Sequence, residues 1–171
     1  MLEHSMPRTS ARRWLAWLAV GAGVVALDQL SKHVVRDVLA NGRTIRVTPF
    51  FDLVLILNPG AAFSFLSSAA GWQRELFIGI ALAASVLIVY LMRKHAADRV
   101  FCLGLALILG GAIGNVIDRV LLGAVVDFLY FHLGEHYWPA FNLADSAITC
   151  GAGLLIWDSL RRARVKHPKS G

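Results

Sequence analysis

Long apolar blocks separated by short polar segments dominate the chain. A membrane-spanning helix needs about 20 mostly apolar residues. Four stretches meet or approach that length: Trp14–Val35, Trp72–Met92, Val100–Ile117 and Phe141–Trp157. With their flanking residues they predict spans at 14–36, 72–92, 99–118 and 141–160 in one domain, with tails at 1–13 and 161–171. The first block follows basic residues, as a signal peptide would. It lacks a small-residue cleavage site, however, and runs on into Asp28 and Lys32. Between the first two blocks, Asn41–Leu66 loses the helical pattern. Thr44–Leu57 is rich in Ile, Val, Thr and Phe and is interrupted by Pro49. This predicts two or three short strands, a small sheet within 41–66. The other long connection, Leu121–Pro139, mixes Asp127, Tyr130, His132, Glu135, His136, Tyr137 and Trp138. That interfacial composition predicts a short helix lying at the membrane surface.

Composition agrees with this pattern: 57% of residues are hydrophobic and 16% charged, against roughly a quarter charged in soluble domains. The net charge of +6 would raise the question of nucleic acid in a soluble protein. Here the basic residues sit at helix ends, so no nucleic-acid partner is expected. Arg8, Arg12 and Arg13 precede the first span, and Arg93, Lys94 and Arg99 lie between the second and third. Arg161, Arg162, Arg164, Lys166 and Lys169 follow the fourth. The positive-inside rule then puts both termini in the cytoplasm and the two long connections outside. Trp14, Trp17, Trp72, Trp138 and Trp157 lie near span ends, as an aromatic belt requires. Cys102 and Cys150 fall within spans without CxxC spacing and read as small packing residues. The expected fold is an all-α membrane protein of four transmembrane helices, with a small extracytoplasmic β-sheet and a short interfacial helix.

Topology also sets the depth of the polar residues. Asp28 comes 14 residues after Trp14, roughly 21 Å into a core of about 30 Å. It therefore belongs to the outer half, with Lys32 one turn further out on the same face. Asn115, Asp118 and Arg119 end the outward-running third span, and Asn142 and Asp145 begin the inward-running fourth. Ionisable groups in spans are costly and mark pathways or sites. Mutual pairing that pins helices together is the plainer reading for Asp28 with Lys32. It explains less well so many acids and asparagines on one side of the bilayer.

Asp127, in Gly123–Phe128 (GAVVDF), and Asp145 stand apart from the others. Their flanks converge because the connection between them leaves and re-enters the same membrane face. Two carboxylates close together in a low-dielectric setting share a proton. One takes a proton from water while the other gives one to a carbonyl oxygen. The helix dipole favours Asp145 as the base, but the pair titrates as a unit, so the sequence does not assign the shared proton to either acid. A cap or dipole partner is the competing reading for an Asp at a helix start.

Two other patterns compete. His132–His136 (HLGEH) matches H-x-x-E-H, which on a helix would set two zinc-binding imidazoles on one face. Against a zinc metalloprotease stand the internal Gly134 and the lack of an evident third ligand, so no metal is expected. Gly110 and Gly114, in G-x-x-x-G spacing, read as a close helix-packing face. A small transporter or channel subunit using the polar cluster as an ion path is the non-enzymatic alternative. No polar trail continues inward to support it.

Five blocks, in order, resemble lipoprotein signal peptidase (signal peptidase II) over nearly the whole chain. They are Asp28–Lys32 (DQLSK), Asn58–Phe63 (NPGAAF), Gly110–Arg119 (GGAIGNVIDR), Gly123–Phe128 (GAVVDF) and Phe141–Ile148 (FNLADSAI). Pro59 occupies a variable position of the second block. The resemblance implies a bacterial inner-membrane aspartic endopeptidase without a cofactor. Such an enzyme cleaves a diacylglyceryl-modified prolipoprotein just before its lipidated Cys, near the outer leaflet. It implies Asp127 and Asp145 as the catalytic pair. Asn58, Gly60, Asn115, Arg119 and Asn142 would bind substrate or shape the site, with Asp28, Lys32 and Asp118 as support. The sheet would be the family's cradle over the site. Membrane lipid, prolipoproteins and cyclic peptide inhibitors of the globomycin type are the implied partners, and the enzyme is expected to be a monomer.

Overall fold

The computed structural model describes residues 8–60 and 72–166. Parts of some expectations lie outside the described residues: the tail before Arg8, the stretch 61–66 of the expected sheet with Ala61–Phe63 of its motif, and the tail after Lys166. Four helices are described, α1 (Arg8–Val38), α2 (Trp72–Lys94), α3 (Arg99–Leu122) and α4 (Leu143–Lys166). They are joined by strands β1 (Ile45–Thr48), β2 (Phe51–Asn58), β3 (Val125–Leu133) and β4 (His136–Tyr137).

Three helices, α1 from Arg13 onward, α2 and α3, are long and apolar enough to cross a membrane. α4 has 24 residues, but Asp145, Asp158 and its basic final turns dilute its apolar character. It nevertheless runs antiparallel beside α3: Gly104 meets Gly151 and Leu155, and further along Gly111 meets Ala144 and Ile148. A helix that shadows a spanning helix crosses the same thickness. Leu27, Leu30, Val86, Leu87 and Ile156 point outward. Outside the bundle that is the face lipid requires, since packing rather than hydrophobic burial joins such helices.

α3 occupies the centre, packed against each of the other three helices. Its small residues allow this. A Cβ at Gly110 would strike Gly21 and Val24 of α1, and one at Gly114 would strike the Asp28 carboxyl. Ile88, Met92, Leu105, Ala106 and Leu109 form the apolar core of the end that carries the termini. There Trp17 Nε1 donates to the Ala96 carbonyl at 3.3 Å, and Trp14 lies under Arg93. Trp14, Trp17 and Arg93 thus share one end of the bundle. Cys102 is buried and Cys150 exposed.

At the opposite end the four strands form one antiparallel sheet in the order β1-β2-β3-β4. Val35 and Leu39 pack with Phe128 and dock the sheet on the end of α1. The short interfacial helix expected within Leu121–Pro139 is not found there, because that segment is the β3–β4 hairpin. Val125–Leu133 concentrates β-branched and aromatic residues, which suit a pleated surface better than a helix. Gly134, at φ 60°, then turns the chain back so that Leu133 pairs with His136 and His132 with Tyr137.

Candidate active site

Three local features bring Asp127 and Asp145 together. Gly123 ends α3 in the left-handed conformation, and its amide donates to the Arg119 carbonyl at 3.1 Å. The chain turns there directly into β3, which carries Asp127. A one-residue bulge in β2 between Leu53 and Ile56 then sets Ile56 opposite Asp127 and Asn58 opposite Val125. Residues two apart in a strand share a face, so Asn58 and Asp127 share one. After the hairpin, Phe141 pairs with Leu129, which sets the start of α4 beside Asp127.

Asn142 links the two acids. Its Nδ2 donates to Asp127 Oδ1 at 2.8 Å, and its backbone N–H donates to Asp145 Oδ2 at 3.2 Å. Its Oδ1 accepts from the Asp145 amide at 2.9 Å. The last two bonds form a reciprocal box at the start of α4, the arrangement expected of an N-cap and the third residue after it. Asp145 is therefore a cap as well as a candidate acid. Its other oxygen accepts from Asn115 Nδ2 at 2.8 Å, and Asp127 Oδ2 accepts from Asn58 Nδ2 at 3.0 Å. Asn142 is fully buried and Asp127 nearly so. Burial is the main reason that the Asp127 carboxyl is pushed up to about 6, with the Asp145 charge adding to it. Hydrogen bonds from Asn58 and Asn142 and the Lys32 charge pull the other way.

Beneath the pair lies a buried ionic cluster. Lys32 Nζ stands 2.8 Å from Asp28 Oδ2, 2.8 Å from Asp118 Oδ2 and 3.0 Å from Asn115 Oδ1. Asp28 Oδ1 accepts from the Ala144 amide at 2.9 Å, and Asp118 Oδ2 from the Val126 amide at 3.0 Å. One ammonium therefore ties together two carboxylates, each hooked to the residue immediately before one of the two aspartates. The helix-pinning reading of Asp28 and Lys32 and the site-support reading are thus one arrangement. Gln29, which the sequence motif contained but residue chemistry did not single out, joins the cluster through Asp28 Oδ2, the Gly114 carbonyl and Asp118 Oδ1. Arg119 Nη1 donates to the Asn115 carbonyl at 3.2 Å. Gly60, at φ 105°, closes a turn in which its amide donates to Asn58 Oδ1 at 2.9 Å.

The HLGEH segment does not join this site as a helical zinc motif. His132 and His136 sit on two strands of a hairpin instead of one helix face, and His132 Nε2 lies 3.2 Å from Asp52 Oδ2.

Similarity to known proteins runs over nearly the whole chain. The family profile described as Signal peptidase (SPase) II matches residues 20–161. A lipoprotein signal peptidase of Paraburkholderia phymatum is 58% identical over 163 residues, covering 95% of this chain and 98% of its own. One from a Janthinobacterium species is 54% identical, covering 90% of this chain and 93% of its own. Among solved structures, a bacterial membrane enzyme determined by the in meso method at 2.3 Å superposes with a TM-score of 0.74 at 30% identity. The match covers 91% of this chain and 93% of that one.

Proposed function

The chain belongs to the signal peptidase II family, and from that premise we propose that Asp127 and Asp145 are its catalytic pair, acting on a lipidated prolipoprotein near the outer leaflet. The protein is a multi-pass inner-membrane aspartic endopeptidase that cleaves lipoprotein signal peptides. The observation that supports the residue assignment best is the Asn142 bridge, which holds one oxygen of each carboxyl at hydrogen-bond distance. Asp127, held up toward 6, suits the protonated partner. Asp145, whose Oδ2 accepts from the Asn142 amide at the start of α4, is then the base.

In this reading a water placed between the two gives a proton to Asp145 as its oxygen attacks the scissile carbonyl carbon. Asp127 gives its proton to the carbonyl oxygen. The gem-diol then collapses as Asp145 returns a proton to the leaving nitrogen and Asp127 recovers one from a hydroxyl. Arg119, Asn58, Asn115 and Asn142 orient the substrate backbone and the acids. The substrate's acyl chains stay in lipid, which supplies about 0.8 kcal/mol of binding per buried CH₂. Polar side chains are then left for orientation and chemistry. The Lys/Arg distribution favours both termini in the cytoplasm, which puts the sheet end and the dyad outside. Every group invoked comes from one chain, so the reading needs only a monomer. A cyclic peptide of the globomycin type would compete for the same groups.

Asp127→Asn and Asp145→Asn are nearly isosteric and should insert normally. Each should abolish cleavage of a diacylglyceryl prolipoprotein, with the double variant little worse, because the two groups act as a unit. Near wild-type cleavage by either single variant sinks the assignment.

A further inference from the structure

Phe77, half-buried on α2, touches two parts of the site, the Arg119 side chain and the Asn58–Gly60 turn. The Arg119 guanidinium carbon stands 5.2 Å from its ring centroid. The ring edge fills the space beside Gly60: a Cβ there would lie 2.7 Å from Phe77 Cε2 and 3.3 Å from Cδ2. Gly60 belongs to the turn that presents Asn58 to Asp127. Arg119 needs such a support. Its buried Nε has no hydrogen-bond partner among the described residues, while Nη1 bonds a carbonyl of its own helix. A planar guanidinium held on one side by a backbone oxygen can swing about that bond, and an aromatic face under it fixes its plane.

We propose that Phe77 is a positioning residue for the reaction, its ring holding the Arg119 guanidinium on one side and the Asn58–Gly60 turn on the other so that both address the Asp127–Asp145 pair. The proposal rests on that pair being the dyad. Simple packing on α2 predicts something different. α2 is the helix that α3 contacts least, and Phe77 is not in the apolar core cluster. Phe77→Leu should then be silent, since it keeps the helix apolar.

The test uses the full-length protein in detergent micelles with a lipidated prolipoprotein peptide. Phe77→Leu should lower kcat/KM roughly tenfold, as loss of a partly desolvated cation–π contact allows, with thermal midpoint and membrane insertion unchanged. Phe77→Tyr, which keeps the ring, should stay near wild type. In an Arg119→Ala background, Phe77→Leu should cost much less than tenfold.

A pH profile separates positioning from packing. Asp127 faces Asn58 from β2, Asn142 and Asp145 from the start of α4, Lys32 from α1 and Arg119 from α3. The ring reaches only Asn58, through Gly60, and Arg119. Both favour the ionised carboxyl, so loosening either should move the basic limb of the profile to higher pH. If Phe77→Leu fails to insert, Phe77→Met carries the same comparison. Wild-type kcat/KM and pH profile in the Leu or Met variant overturn the proposal. So does an undiminished loss in the Arg119→Ala background, or a Phe77→Tyr variant as poor as Phe77→Leu. Failure of the dyad reading shows separately, as cleavage by Asp127→Asn.

Discussion

Lys32→Met tests whether the buried ionic cluster sets the geometry of the dyad. Methionine is close in length and shape to the lysine stem and carries no charge. The substitution leaves Asp28 and Asp118, each 2.8 Å from the lost ammonium, buried and facing each other. Removing one partner of a buried ion pair costs about 3–5 kcal/mol. At about 2–4 °C per kcal/mol for a chain of this size, the thermal midpoint should fall on the order of 10 °C. The kinetic effect has a separate origin. The repelled carboxylates pull on the amides of Ala144 and Val126, the residues before Asp145 and Asp127. A displacement of about 1 Å in a catalytic group can cost about a hundredfold, so turnover of lipidated substrate should fall by that order while the variant still inserts. Adding Asp118→Asn removes one negative charge and keeps an oxygen that can accept from Val126. The double variant should therefore recover much of the midpoint and part of the rate. The measurements are a thermal scan in detergent and single-turnover cleavage. An unchanged midpoint and rate in Lys32→Met, or a double variant worse than the single, refutes the reasoning.

The remaining tests are simpler. Asp127, pushed up to about 6 mainly by burial, loses its proton as pH rises through that value, so kcat/KM should decline on the basic side with a midpoint near there. Asn58→Ala removes a donor that favours the ionised form, so it should shift that limb to higher pH and lower the maximum; a limb that stays put or moves down contradicts the Asn58–Asp127 link. Reporter fusions at Arg13, His95 and Arg164 should read cytoplasmic and one at Gly123 external, and a cytoplasmic Gly123 would reverse the proposed orientation. A strong chelator and His132→Ala should each leave most activity; activity lost to chelator and restored by zinc would reopen the HLGEH reading.

The helices were legible because a spanning helix must be written as a long apolar block, and such blocks survive any detail of packing. The gathering of the polar residues at one end was legible for a related reason. A helix advances steadily along its axis, so Asp28, Lys32, Asn115, Asp118, Arg119, Asn142 and Asp145 could be gathered at one end without knowing a single contact. Strand pairing has no such ruler. β3 was hidden because Val125–Leu133 contains Asp127, Tyr130 and His132 among its apolar residues, and the neighbouring Trp and His suggested an interface. Its nine residues of mostly β-branched or aromatic character, followed by Gly-Glu-His, were the signal that outweighs that impression. The missing strand matters chemically. Only the β2–β3 register, shifted by the bulge, puts Asn58 on the face of Asp127, and a one-residue slip would turn the amide away. Phe77 was hidden for another reason. An aromatic in an apolar span looks like its neighbours until Gly60 and Arg119, 17 residues before and 42 after it, are seen to meet it from two sides. The sequence motifs therefore identify the groups that carry charge. The distances between those groups depend on a bulge in β2 and on the Gly123 turn after α3, neither of which carries charge.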